Sequence, residues 1–380
     1  MNALEPVERF VVSQTSADLP FVTAYRDGDI AKRLVEQLHA EAGDLHATFM
    51  EVCGTHTMAI SRHGIRQLVP KGIRLISGPG CPVCVTPNAY LDYAVTLARL
   101  PNVTVATFGD MLRVPGSRSS LEREKARGAD VRLVYSPRDA VAVARAEPER
   151  EVVFLGVGFE TTAPTVAAAI LEAKRSGVKN FSVLCAHKTM PQAMRALVAD
   201  GRIGLDGFIC PGHVSAIIGA EPYRFLAEEF GKACVITGFE PVDILQGLLM
   251  LVRQVRNRDP EVEIQYRRVV RPEGNPRARQ VLERVFEPCD AEWRGLGWIP
   301  GSGLKIRPEF ADYDAEVRFP LDLPPAEEPP GCRCGEVLQG LIRPDECPLF
   351  GTRCTPENPV GACMVSSEGT CAAYYRYGVM

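Results

Sequence analysis

The chain has 380 residues, 46% of them hydrophobic and 24% charged, with 43 basic against 47 acidic side chains and a formal net charge of -4. That length implies two or three domains, and that balance gives neither the basic footprint of a nucleic-acid binder nor a polybasic membrane patch. No apolar run approaches the roughly 20 residues that span a bilayer, and MNALEPVERFVVSQTS lacks a cationic segment followed by an apolar one, so the expected location is the cytoplasm.

Residues 1–46 form an N-terminal segment whose amphipathic stretch DIAKRLVEQLHAEAG is expected to be a helix, packed on a neighbouring element or on the C-terminal domain. From residue 47 one rhythm repeats: a short β-branched run, a Gly- or His-bearing polar loop, then an amphipathic helical stretch, which is βα-unit grammar. Residues 47–147 supply the strands HATFMEVC, GIRLIS, VTVATF and VRLVYS. The helices among them are TMAISRHGIRQLV and AYLDYAVTLARL, the latter with Asn88 as its expected N-cap. The helix in SPRDAVAVARAEPER ends in a polar joint, which places a boundary near residue 147. Residues 148–257 repeat the scheme with the strands EVVFLGV, FSVLC, GFIC and ACVIT. The expected fold class is therefore α/β, with two domains of parallel sheets flanked by helices. From 258 to 380 the rhythm stops. EVEIQYRRVV reads as a strand, PRARQVLERVF as a helix, RGLGWIPGSGLKI as a Gly-rich strand pair, and LPPAEEPPG as a Pro-rich approach to a cysteine-rich tail.

Nearly every unusual polar motif falls at the carboxyl end of an expected strand, the end that faces the ligand crevice in open parallel sheets. Cys53-Gly54-Thr55-His56 sets a thiol and an imidazole three residues apart at a helix start, where backbone N–H groups favour a thiolate able to bind a soft metal or act as a nucleophile. The plainer alternative is a buried Cys beside a turn-capping His. Cys81-Pro82-Val83-Cys84 can close a short disulfide loop between strand and helix, as redox-active pairs do, and no second Cys-x-x-Cys lies near enough for a zinc ribbon. Gly158-Phe159-Glu160-Thr161-Thr162 opens a helix and offers amides and hydroxyls to an anion, although it is neither a Walker loop nor a dinucleotide fingerprint. His187, Lys188 and His213, the last in PGHVS, add donors to the same rim. Cys185, Cys210 and Cys234 sit in apolar runs and read as small buried hydrophobes, less reactive than the Cys81/Cys84 pair; Cys289 is ambiguous.

Thirteen cysteines without an export signal suit metal or redox chemistry better than a secreted disulfide framework. Six of them, Cys332, Cys334, Cys347, Cys354, Cys363 and Cys371, lie in a tail with too few long apolar side chains to offset its backbone entropy, so bonds to sulfur must help order it. An iron–sulfur cluster takes four thiolates carried on irregular chain. Spacing does not say which four of the six, and an all-thiolate zinc site uses the same ligands.

Together CGTH (53–56), GPGCPVCVTP (78–87), GFETTAPT (158–165), PGHVSAI (211–217) and the tail from Cys332 to Cys371 closely resemble the signatures of the HypD family of hydrogenase maturation proteins. The resemblance runs from about residue 45 to the end. It implies a scaffold for assembling the Fe(CN)2(CO) unit of nickel–iron hydrogenases, working with a HypC-type small chaperone and a HypE-type cyanide donor. It also implies a 4Fe-4S cluster on Cys332, Cys347, Cys354 and Cys371. Cys53 becomes the iron-ligating or chaperone-facing thiol with His56 beside it, and Cys81 with Cys84 the exchangeable pair. Cys334 and Cys363 would relay electrons as in ferredoxin:thioredoxin reductase, and Glu368 is a further position expected to matter. Two competing readings are a stand-alone iron–sulfur protein-disulfide reductase of that type and a zinc-stabilised interaction protein.

Overall fold

The computed structural model describes residues 24–378. The eight expected β-branched runs form β1 (Ala47–Glu51), β2 (Ile73–Ser77), β3 (Val103–Thr107), β4 (Val131–Leu133), β5 (Glu151–Gly158), β6 (Phe181–His187), β7 (Gly207–Cys210) and β8 (Ala233–Ile236). EVEIQYRRVV contributes only β9 (Val262–Ile264) before the chain turns. The principal helices are α1 (Gly28–Ala42), α2 (Gly54–Arg62), α3 (Asn88–Ala98), α4 (Ala163–Arg175), α5 (Met190–Asp200), α6 (Gly212–Ile218), α7 (Pro241–Asn257), α8 (Pro276–Val285) and α9 (Thr370–Tyr377). None is long and apolar enough to cross a membrane.

The strands assemble into two wholly parallel sheets, one in the order β2-β1-β7-β8-β9 and the other β4-β3-β5-β6. This corrects the boundary expected near residue 147, which falls inside the second sheet: β3 and β5 pair directly across it, from Val103 opposite Glu151 to Ala106 opposite Phe154. The first sheet is discontinuous in sequence, with β1 and β2 at one side and β7 to β9 at the other. Each βα unit has the same local pattern, so periodicity identifies the units without saying which sheet each joins.

Both sheets reverse their strand order once, between β1 and β7 in the first and between β3 and β5 in the second. Such switch points open a crevice at the carboxyl ends of the strands. CGTH and PGHVS follow β1 and β7, and GFETT follows β5, so the local βα order alone delivers these motifs to the two crevices.

Of the two positions expected for the N-terminal helix, a neighbouring element or the C-terminal domain, it does not take the second. Asp27 caps α1 by accepting from the backbone N–H groups of Asp29 and Ile30, and the helix lies along α7. Leu38 and Ala42 share a core with Ile244, Leu248 and Val252, while Arg253 holds Glu41 at 2.7 Å and Arg256 donates to the Ala42 carbonyl. Residues 1–23 of that segment lie outside the described residues. Asn88 is also not a cap: it is the first residue of α3, and its buried side chain donates instead to the Glu327 carbonyl.

After α8 the Gly-rich run forms one strand rather than the expected pair: β11 (Gly297–Ile306) lies antiparallel to β10 (Phe286–Trp293), the run before it, in a hairpin bulged between Cys289 and Ala291. Gly303 bridges to Lys188 just past β6. The cysteine tail then returns to the first sheet in short helical turns, and α9 packs against α2.

Candidate functional site

Cys53 ends the extended segment of β1 and is the N-cap residue of α2, with its side chain free of any capping hydrogen bond. Two glycines hold it in place. A methyl group on Gly80 would collide with the backbone N and Cα of Cys53, and one on Gly54 would come within 2.5 Å of the Glu368 Cβ and carbonyl oxygen. Glycine is required at both positions because three backbones meet there; Gly54 N–H donates to the Gly80 carbonyl at 3.0 Å. The Thr55 hydroxyl donates to Glu368 at 2.8 Å, which ties the tail to the mouth of α2.

The thiolate expected at Cys53 is not the resting form. Burial, with the Glu368 carboxylate nearby, pushes the Cys53 thiol up to about 12, while the Thr55 and His56 amides pull the other way. The helix-terminus effect is present, and desolvation outweighs it. Cys53 therefore rests as a neutral thiol.

Cys81 caps the single helical turn Pro82–Val85, its Sγ accepting from the Cys84 N–H at 3.3 Å. Both sulfurs are buried, at 3% and 0% exposure, whereas Cys185 and Cys289 are half-buried. The expectation that Cys81 and Cys84 react before Cys185 is thus reversed in accessibility, because the Gly-Pro-Gly turn folds the pair under the tail, whereas Cys210 is as buried as they are. Cys210 and Cys234 are fully buried, as read from the sequence, and lie side by side.

The tail brings its thiols to this pair. Cys84 touches both Cys81 and Cys363, Cys363 also touches Cys334 and Cys371, and Cys334 touches Cys332. A continuous file of sulfurs leads from Cys81 through Cys84, Cys363 and Cys334 to Cys332, although the chain numbering separates its two halves by some 250 residues or more. Beyond it lies a cavity lined by all six tail cysteines with Val337, Leu349, Phe350 and Met364. All thirteen cysteines are unpaired thiols. Among the described residues no three His, Cys, Asp or Glu side chains converge tightly enough for a single metal ion. A ring of soft donors around an apolar hollow is suited to a larger metal–sulfur assembly, and Gly361 leaves room for it, since a Cβ there would lie 2.6 Å from the Cys332 Sγ.

His56 is fully buried, with Nε2 at 2.9 Å from the Gly238 carbonyl and 2.8 Å from the Thr237 hydroxyl. Burial lowers it to about 4, so it is neutral, and its Nδ1 has no partner. Its ring lies 4.6 Å from that of Phe239, which stacks on the exposed His213 at 4.0 Å. The loops after β1, β7 and β8 therefore meet here. In GFETT, Phe159 stacks on Trp293 at 5.9 Å, and one Glu160 oxygen accepts from the Met190 N–H at 2.9 Å while the other is buried without a partner. Burial pushes Glu160 up to about 7. Thr162 donates to the Phe159 carbonyl within the loop and packs against Gly158, while Thr161 is half-buried. The anion cradle expected there has one hydroxyl already used and a carboxyl at its centre. One contiguous core nevertheless joins Val52, Cys81, Cys84, Phe159, Val214, Trp293 and the tail cysteines 334, 354, 363 and 371, so the motifs do share common ground.

Sequence reasoning missed Trp293 and Arg294, adjacent residues of the hairpin. Lys188 donates to the Glu292 carbonyl at 2.6 Å and lies 5.6 Å from the Trp293 ring. Arg294, 4% exposed, donates to the Thr86 carbonyl, Asn88 and Glu328, clamping the exit of CPVC to the approach of the tail. An Arg-Gly-Leu-Gly run framed by the chain's two tryptophans was the available signal.

His187, at the end of β6, is lowered to about 3, chiefly by burial and then by Lys188. An unfolded His binds a proton near pH 6.5, so this residue's contribution is complete above that pH and is lost as pH falls toward 3. Urea titrations of His187→Gln against wild type should show the wild type losing about 1 kcal/mol more per pH unit between pH 6 and 4.5. Parallel curves would mean that His187 titrates alike in both states.

A family model described as "HypD: Hydrogenase formation hypA family" matches residues 29–378. The chain is 49% identical over 369 residues to the hydrogenase maturation factor HypD of Rhizobium leguminosarum bv. viciae, covering 95% of this chain and 96% of that one. The corresponding factor of Cupriavidus necator is 49% identical over 370 residues (95% and 97%). That of Escherichia coli K12 is 47% identical over 366 residues (94% and 98%).

Proposed function

The chain belongs to the HypD family of hydrogenase maturation factors, and from that premise we propose that it is the scaffold on which the Fe(CN)2(CO) unit of nickel–iron hydrogenases is assembled, with a HypC-type chaperone and a HypE-type cyanide donor as partners. The observation that carries this reading is the file of thiols from Cys81 to Cys332, which begins beside the Cys53 backbone.

Cys53 holds the iron cargo through its sulfur, a soft donor suited to low-spin iron bearing cyanide and carbon monoxide. The Thr55–Glu368 hydrogen bond fixes the tail over it. Cys332, Cys347, Cys354 and Cys371 would hold a 4Fe-4S cluster in the tail cavity they line. When bound, that cluster supplies electrons singly.

Cys363 is the exchange sulfur because it contacts both Cys84 and Cys334. With Cys81 and Cys84 joined as a disulfide, the Cys363 thiolate attacks the Cys84 sulfur, and Cys81 leaves as a thiolate. Cys334 then attacks Cys363 and releases Cys84, which leaves a Cys334–Cys363 disulfide and a reduced Cys81/Cys84 pair. The disulfide has moved two sulfurs along the file toward the tail and two electrons the opposite way, without any thiol leaving the core. The burial of Cys81 and Cys84 favours a cargo small enough to enter the crevice over the large protein disulfide that a stand-alone reductase would need.

Infrared spectroscopy of the protein co-purified anaerobically with its small partner is expected to show cyanide and carbonyl stretching bands. Their absence from a preparation that supports hydrogenase maturation would overturn the scaffold reading.

A further inference from the structure

The apex of the β10–β11 hairpin, Arg294 to Leu296, stands between the two stretches of chain that carry the sulfur file. On one side the Arg294 N–H donates at 2.9 Å to the carbonyl of Val85, the residue after Cys84. On the other, Gly295 packs backbone to backbone on Gly335, the residue after Cys334. A methyl group on Gly295 would lie 2.4 Å from the Gly335 Cα, and one on Gly335 would lie 2.9 Å from the Gly295 Cα. The Gly295 carbonyl also accepts from Gln339, the residue that ends the helical turn Cys334–Leu338. Two adjacent hairpin residues thus span along the backbone the interval that Cys363 spans through its contacts with Cys84 and Cys334.

The Arg294 side chain closes the first half of that span. Its buried guanidinium donates to the Thr86 carbonyl through Nε at 3.1 Å and Nη2 at 2.9 Å, to Asn88 Oδ1 at 2.7 Å and to Glu328 at 2.7 Å. Asn88 in turn donates to the Glu327 carbonyl at 2.7 Å. One planar fork therefore holds the exit of the CPVC turn against the segment that leads into Cys332. Replacing a buried ion pair by apolar side chains is often neutral for stability, whereas a guanidinium fixes the spacing of the acceptors it joins. The second half of the span is closed by the Gly295–Gly335 contact, which needs no side chain.

We propose that Arg294 is a positioning residue for the thiol exchange, holding the CPVC turn so that Cys84 stays within attacking distance of Cys363. The role rests on the exchange reading given under Proposed function. Arg294 acts through Thr86 and Asn88, on the chain that carries Cys84, and not on a sulfur directly. Its effect is therefore one-sided. The Cys84–Cys363 step depends on the guanidinium, and the Cys363–Cys334 step depends on the tail and on the glycine contact.

The test uses full-length protein purified anaerobically in two backgrounds. Cys81→Ser/Cys334→Ser leaves Cys84 and Cys363 as the partners of the first step, and Cys81→Ser/Cys84→Ser leaves Cys363 and Cys334 as those of the second. Diamide, a small two-electron thiol oxidant, is added, and acid quenching with peptide mass spectrometry gives the rate at which each disulfide forms. Arg294→Met is expected to slow formation of the Cys84–Cys363 disulfide at least about 10-fold and to leave the Cys334–Cys363 rate within about two-fold. Arg294→Lys keeps a donor for the Thr86 carbonyl but cannot span three acceptors, so it should slow the first step alone, by about three-fold; it decides the question if the methionine variant does not fold. An unchanged first step in the folded variant overturns the positioning role and leaves the exchange reading intact. Equal slowing of both steps also overturns it, since that is the mark of a general packing residue. A background with Arg294 in place that forms no Cys84–Cys363 disulfide overturns the exchange reading, and the positioning role with it.

Discussion

Cys53→Ala is expected to fold like the wild type and to lose hydrogenase maturation. The thiol is 8% exposed and makes no capping hydrogen bond, so truncation removes one buried sulfur at a cost of about 1 kcal/mol. The backbone that positions it is held by Gly54, Gly80 and Glu368, none of which the substitution touches. Maturation, read as hydrogenase activity in a strain dependent on this protein, should fall at least about 100-fold, because the proposed iron cargo would lose its sulfur ligand. Cys53→Ser should do little better, since a hydroxyl is a hard donor. Wild-type activity in the alanine variant would remove Cys53 from the site.

The second large effect is expected at the tail. Cys371 lies in the first turn of α9, which packs on α2 and so borders the Cys53 site. On the cluster reading, metal–thiolate bonds help order the tail. Cys371→Ser should lower bound iron from about four per chain to below about one and expose residues 332–378 to limited proteolysis. Cys289→Ser, on the hairpin and outside the cysteine cavity, should keep both the iron and the protease resistance. Equal iron in the two variants would refute the assignment of Cys371 as a ligand.

Much of the fold is legible along the chain. The β-branched runs at 47–51, 73–77, 103–107 and 151–158 became strands where their alternation with polar loops put them. The motifs fell at the carboxyl ends of strands because a βα unit leaves its strand-to-helix loop there whatever sheet it joins. The tail's six cysteines marked it as a place to look for sulfur chemistry. The helix at 28–42 was legible as a helix, and its partner was not: an amphipathic stripe says that a face is covered without naming what covers it.

The sequence by itself determined the α/β units, the placement of CGTH, CPVC, GFETT and PGHVS at strand-to-helix junctions, and the supply of thiols. Tertiary structure alone decided that β1 pairs with β7 while β3 pairs with β5, that Cys84 meets Cys363, and that Cys53 rests protonated. The physical reason is one of range. Secondary structure and loop position follow from neighbours a few residues away, whereas sheet order, sulfur contacts across some 280 residues and the desolvation that sets a thiol's protonation exist only once the whole chain has closed on itself.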